Sequence, residues 1–109
     1  MSAPLWDISV EDDGTTIVVR PVGEIDSYTA AQVDAHLRGG GNGHTAIVLD
    51  VSQVEFMDST GLTMLIHAHR REPERFALRG NSPAVERLLE LSGTSRLFTR
   101  ADAVNGAGD

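Results

Sequence analysis

The sequence predicts one α/β domain: an N-terminal β-hairpin, then βα units that form one mixed sheet with helices packed against it. Three observations lead there. Near the start, a stretch of period-two alternation leads into an Asp-Asp-Gly turn, and an apolar run returns after it. Later, apolar residues recur at helical spacing in successive segments. Between two of those segments lies Ala46 to Val51, a short run apolar on both faces, as expected of a strand buried on both sides. The order ββαβαβα suits one mixed sheet with helices packed against it. The 109 residues fit one domain of ordinary size, assigned to residues 1–100, with 101–109 expected to form a flexible tail.

Each element has a local reason. Trp6, Ile8 and Val10 alternate with Asp7, Ser9 and Glu11, which reads as a strand. Asp12-Asp13-Gly14 supplies the turn, and Ile17 to Val22 returns antiparallel. Pro21 lacks an N–H, so it marks an edge or a strand end. Thr29 and Gln32 have capping-box spacing, and Ala30, Val33 and Leu37 share one face of the helix that follows. Gly39 to Gly43 then reads as a helix stop and linker. A phosphate cradle would follow a strand and precede a helix, the reverse of this order. Ala46 to Val51 is a central, parallel-type strand. Leu62, Leu65, Ile66 and His69 mark the next helix, with Arg70 and Arg71 favourable at its C-terminal end and Pro73 beyond it. Arg75 to Arg79 is a short strand. Ser82 caps a last helix with Pro83 at its first position, Val85, Leu88 and Leu89 form its stripe, and Gly93 stops it. Leu97-Phe98 is a final apolar patch, a short strand or helical turn.

Composition removes several function classes. There are no cysteines, so disulfides, thiolate chemistry and cysteine zinc sites are excluded. All nine cations are arginine, which excludes a lysine-bearing phosphate loop and Schiff-base catalysis. The formal charge of −7 argues against nucleic acid and anionic membrane as partners and for a protein with a basic face. No apolar run approaches the roughly 20 residues of a membrane span, and the first residues lack the basic and apolar regions of a signal peptide. The expected location is cytoplasmic.

No enzyme constellation is complete. His67 and His69 are two apart on a helix, so they diverge and cannot share a metal. His36 and His44 have no patterned partner, and His69 on the apolar face reads as a hydrogen-bonded semi-core residue. Ser59 has no Gly-x-Ser-x-Gly elbow, because Met57 takes the first glycine's place. Asp50 and Asp58 could pair around magnesium, yet a strand end and a turn are ordinary places for aspartate. Catalytic, metal-binding and cofactor-binding residues are therefore none. A small hydrolase or phosphatase using Asp50, Asp58 and Ser59 is a remote reading.

The stretch Glu55-Phe56-Met57-Asp58-Ser59-Thr60-Gly61-Leu62 carries the functional signal. Asp58 or Ser59 caps the helix that follows. Capping alone does not explain three small polar residues and a glycine at the carboxyl end of a buried strand, where α/β folds bind ligands and partners. A phosphate on a serine there adds roughly −1.5 to −2 charges beside free N–H groups and the positive end of the helix dipole. The fold tolerates that charge, whereas a partner docked on the same turn must desolvate or confront it. A switch at this position alters binding and leaves folding nearly intact.

The segments "GEIDSYTAAQV", "AIVLDVSQVEFMDSTGL" and "NSPAVERLLELSGTSRLF" together resemble the bacterial anti-sigma factor antagonists, single-domain members of the STAS family (sulfate transporter and anti-sigma antagonist). The likeness runs in order from Gly23 to Phe98, and its central Asp-Ser-Thr-Gly-Leu motif is specific. The resemblance implies a STAS-like fold and a non-enzymatic protein that binds an anti-sigma factor, itself a serine kinase, and so frees a sigma factor. The kinase phosphorylates the serine after the motif aspartate, and a serine phosphatase restores it. ATP belongs to the kinase, and the domain needs no cofactor. By this resemblance Ser59 is the phosphoacceptor, with Thr60 a minor alternative, and Asp26, Ser27, Asp58, Ser59, Thr60, Gly61 and Leu62 form the partner surface. Asp58 positions the acceptor, Gly61 permits close approach of the partner's backbone, and Leu62 is a partly exposed anchor. Two features depart from the family pattern. Thr60 stands where a second serine is common, and Arg70 to Arg75 is short, with Pro73 in place of a glycine turn. A monomer or weak dimer is expected. The rival within the family is a scaffold subunit of a large stress-sensing assembly.

Overall fold

The computed structural model describes residues 6–39 and 43–101. The elements in chain order are β1 (Trp6–Asp12), β2 (Thr16–Ile25), α1 (Ser27–Gly39), β3 (Ala46–Asp50), β4 (Val54–Met57), α2 (Ser59–Arg71), β5 (Phe76–Arg79) and α3 (Pro83–Ser92). They form a 5-stranded mixed sheet in the order β1-β2-β3-β5, with β4 also paired to β2. β1 is antiparallel to β2, and every other pairing is parallel. Of the tail predicted over residues 101–109, all but Ala101 lies outside the described residues, as do Gly40, Gly41 and Asn42 of the glycine linker.

The expected hairpin and the single α/β domain are present. Asp12 and Asp13 hold the hairpin turn by accepting the N–H groups of Gly14 (2.8 Å) and Thr16 (2.7 Å). The helix-facing core is one cluster. It takes Ile17 and Val19 from β2, Ile47 and Leu49 from β3, and Phe76 and Leu78 from β5. Val33 of α1, Leu65 of α2, and Val85 and Leu89 of α3 fill it from the helix layer. The alternate strand residues Val18, Val48 and Ala77 are outside this cluster, as period-two geometry requires. Full burial of a side chain such as Leu65 contributes roughly 1.5–3 kcal/mol. Ser82 caps α3 as expected: its Oγ accepts from Val85 N and donates to Val54 O at 2.8 Å, which ties α3 to β4.

Four local expectations are corrected. β4 is a strand that the sequence reading leaves inside the motif. Pro21 is neither at an edge nor at a strand end but within the ten residues of β2. It stands where β2 changes neighbours, from β3 along Thr16–Val19 to β4 from Gly23 onward. Gly23 N donates toward Gln53 O on that side. Alternation points the Pro21 nitrogen the same way, into the gap between β3 and β4, where no donor is needed. Thr29 is not an N-cap either. Asp26 caps α1, and Thr29 is the third helical residue, whose Oγ1 accepts from Asp26 N at 2.7 Å. This is a capping box displaced by three residues and closed by a threonine. Finally, His69 meets Phe98 edge-on at 5.9 Å, and its buried Nδ1 has no hydrogen-bond partner among the described residues. Phe98 itself is buried, and its segment continues beside β5 through Leu78 N to Thr99 O at 2.8 Å.

Candidate functional site

The pairing of β2 with β4 builds the site. Ile25 lies opposite Met57 in parallel register, so both strands leave the sheet at the same end. Each then enters a helix at once, α1 at Ser27 and α2 at Ser59. Asp58 N donates to Ile25 O at 3.1 Å and locks the two junctions together. Sequence alone separates these junctions by about thirty residues; the sheet places them side by side.

The two junctions are built alike. Asp58 has extended backbone, and its Oδ1 accepts from Thr60 N at 2.9 Å and Gly61 N at 3.3 Å, with the Thr60 hydroxyl closing on the same oxygen. Asp26 accepts from Tyr28 N at 3.0 Å and Thr29 N at 3.1 Å. The Thr29 N–H chiefly, with the Thr29 hydroxyl and the Tyr28 N–H, holds the Asp26 carboxyl below its ordinary value. Thr29 Oγ1 also donates to Glu24 O, so the α1 entry is braced from both ends. Trp6 of β1 supports it from outside by edge contact with Tyr28 at 5.7 Å.

Between capping aspartate and serine the roles divide. Asp58 takes the orphan helix donors, so Ser59, the first residue of α2, is not needed as a cap. Ser59 is exposed, and its Oγ is engaged by no other described residue, while its carbonyl accepts from Thr63 Oγ1 at 3.0 Å. Thr60 is exposed too, but its hydroxyl is tied to Asp58. Ser27 is exposed in the equivalent place on α1. All seven residues assigned to the partner surface therefore fall on adjoining helix entries.

Two of them have internal duties. Gly61 is buried, and a Cβ there would meet Met57 Cγ at 2.4 Å and Ile25 Cγ2 at 3.1 Å. The missing side chain thus serves the fold's own packing of α2 on the β2–β4 pair, in contrast to the expected approach of a partner's backbone. Leu62 is half-buried and leans on the core. Behind the entries, α1 and α2 leave a shallow groove of about 290 Å³ floored by Ala30 and Met64 and flanked by Ser27, Thr60 and His67. Arg71 crosses from α2 to Asp34 of α1 at 3.0 Å and holds the helices together farther along.

Asp50 belongs elsewhere. It is only 5% exposed, and its carboxylate receives Arg20 Nε at 3.3 Å, Arg79 Nε at 3.2 Å and Ser52 N at 2.9 Å. Burial pushes its carboxyl up, but the Ser52 hydrogen bonds and the two guanidinium groups outweigh this and hold it below its ordinary value. Both of its oxygens are engaged inside the fold, Oδ1 by Ser52 N and Oδ2 by the two arginines, so this aspartate, considered with Asp58 for magnesium, is built as a structural contact. Among the described residues no group of three or more His, Asp or Glu side chains is arranged to hold a metal, and no helix is long and apolar enough to cross a membrane. The sequence reading also passed over Phe56, which is 50% exposed beside the motif. Its signal was an aromatic residue two places before the capping aspartate.

Known proteins agree with this architecture. The family model described as "Mlab, STAS domain" matches residues 8–99. The chain is 33% identical to the anti-sigma-F factor antagonist RsfB of Mycobacterium tuberculosis, over 97% of this chain and 93% of that protein. It is 34% identical to the anti-sigma-B factor antagonist of Listeria monocytogenes, over 81% of each. The crystal structure of an anti-sigma factor antagonist from Mycobacterium paratuberculosis matches over 100% of both chains with a TM-score of 0.80 at 30% identity. With its paired helix entries and the Asp58–Leu62 motif at their centre, this chain belongs to the STAS domain family.

Proposed function

We propose that the chain is an anti-sigma factor antagonist, a protein-binding switch set by phosphorylation of Ser59. The observation that carries the reading is the division of labour at the α2 entry. Asp58 caps the helix, which leaves the Ser59 hydroxyl exposed and without a structural task. Unphosphorylated, the adjoining Asp26–Ser27 and Asp58–Leu62 entries bind an anti-sigma factor in the cytoplasm and release its sigma factor. The anti-sigma factor is also the kinase and brings the ATP; a serine phosphatase reverses the modification. A phosphate on Ser59 sits at the positive end of the α2 dipole, which favours an anion. It also adds charge beside Asp26 and Asp58, which a docked partner must desolvate. The similarity to proteins named anti-sigma factor antagonists supports the reading. Neither the phosphate nor the partner requires a resident cofactor, and the working form is a monomer or weak dimer.

The test is a binding measurement with purified anti-sigma factors. Ser59→Ala should bind like wild type, whereas Ser59→Glu should bind at least about tenfold more weakly, at a melting temperature close to that of wild type. Equal affinity of the Glu and Ala variants would remove Ser59 from the interface.

A further inference from the structure

Beside the Ser59 turn, β4 and α3 leave an apolar groove of about 200 Å³ bordered by Phe56, Leu88, Leu91 and Arg87. Two of its walls face water to a degree unusual for their type: Phe56 is 50% exposed and Leu91 76%. Neither is needed by the core cluster, which takes Met57 from β4 and Leu89 from α3 instead. Exposed aromatic and leucine side chains that converge on one groove mark an interaction surface more often than chance scatter does. Arg87 is exposed at the rim and takes part in no ion pair among the described residues.

We infer that this groove is the anchoring subsite for the same protein that docks on the Ser59 turn. The occupant is an apolar side chain of that partner, next to a carboxylate that meets Arg87. This inference rests on the reading of the turn as a docking site. Chain geometry makes the two surfaces continuous. Phe56 is three residues from Ser59, so their Cα atoms are at most about 11 Å apart. A standard interface covers roughly 800 Å² per partner, a disc of about 16 Å radius. Phe56 therefore lies within reach of a partner centred on Ser59. Aromatic side chains in such a footprint tend to carry a large share of the binding energy.

Charge selects the kind of partner. Glu55 adjoins Phe56 in β4, and Glu24 lies opposite Phe56 in β2; both are exposed. With Asp26 and Asp58 they give this edge an acidic border, interrupted by Arg87 at the groove. A second copy of this chain would set like charges against one another. A partner with basic groups around one apolar side chain and one carboxylate fits the pattern.

The experiment measures affinity for a panel of purified anti-sigma factors, with unphosphorylated protein throughout. Phe56→Ser should weaken binding by about tenfold or more, and Leu91→Ser and Arg87→Glu by smaller factors of about three to ten. Leu97→Ser, an exposed apolar residue outside the groove, should bind as wild type does. The melting temperature of Leu91→Ser should stay close to wild type, because that side chain is largely in water, and that of Phe56→Ser should fall by a few degrees at most, because half of its side chain is exposed. A panel member that binds wild type, Phe56→Ser and Leu91→Ser equally well overturns the groove and leaves the Ser59 reading standing. A panel with no binder to wild type overturns the Ser59 reading and the groove with it. Sedimentation that shows a wild-type dimer and a Phe56→Ser monomer assigns the groove to a second copy and also overturns the inference.

Discussion

Asp50 ends β3 and Asp58 directly follows β4, yet they serve the molecule in opposite ways. Asp50 is buried under Arg20 and Arg79 and fastens three strands, because Arg20 comes from β2 and Arg79 from β5. Gly80 closes over it with φ +86°, and a Cβ there would sit 2.8 Å from Asp50 Oδ1. Asp58 is at the surface, and its carboxylate satisfies the N-terminus of α2 and nothing more distant. The first carboxylate is committed to the fold. The second relieves its neighbour Ser59 of any structural role and leaves that hydroxyl available to other proteins.

The largest break in this comparison should come from Asp50→Asn. It leaves two guanidinium groups facing a neutral amide. Loss of one partner from a fully buried pair costs about 3–5 kcal/mol; here water still reaches both arginines, so about 2–3 kcal/mol is expected at neutral pH from chemical denaturation. The pH dependence sharpens the same point. The native carboxyl titrates below the ordinary value of 3.8, so the folded state binds fewer protons than the unfolded state in that interval. Stability from this group is complete above the unfolded value and is lost as pH falls through the native one. The gap between wild type and Asp50→Asn should therefore shrink below about pH 4; a gap that widens on acidification contradicts the assignment.

Next in size is Gly61→Ala. The added methyl group meets Met57 and Ile25, and overpacking of this kind costs about 1–3 kcal/mol. The flexible Met57 side chain can yield in part, so the lower half of that range is expected in thermal unfolding. Asp58→Ala removes the cap and should cost about 1 kcal/mol. The smallest effect belongs to Ser59→Ala, within about 0.5 kcal/mol of wild type, as for a surface residue without a partner. An unfolding series that ranks Ser59 with Asp50 would erase the distinction between the two strand ends.

Much of the fold was legible because its signals are local. The turn at Asp12–Gly14, the Ser82-Pro83 helix start and the Gly93 stop each depend on a few adjacent residues. β4 was not, because Val54-Glu55-Phe56-Met57 does not alternate: Val54 and Met57 are buried, and Glu55 and Phe56 are exposed. The register shift in the β2 pairing between Gly23 and Glu24 produces that pattern, and only the partner strand shows it. The Asp26–Thr29 box was hidden because threonine takes the place usually filled by Glu or Gln. Asp50 looked ordinary because its arginines lie 30 and 29 residues away in sequence. The motif itself was plain, as was its place at a helix start. What Gly61 contacts and how Asp26 adjoins Asp58 depended on the parallel pairing of two strands distant in the chain.

The most direct trial of the central claim is the intact mass of the protein after incubation with anti-sigma factor kinases and ATP, followed by mapping of the modified peptide. The account predicts one added phosphate, located on Ser59 and missing from Ser59→Ala. A Ser59→Ala protein labelled as readily as wild type, or a phosphate mapped away from the α2 entry, would contradict it.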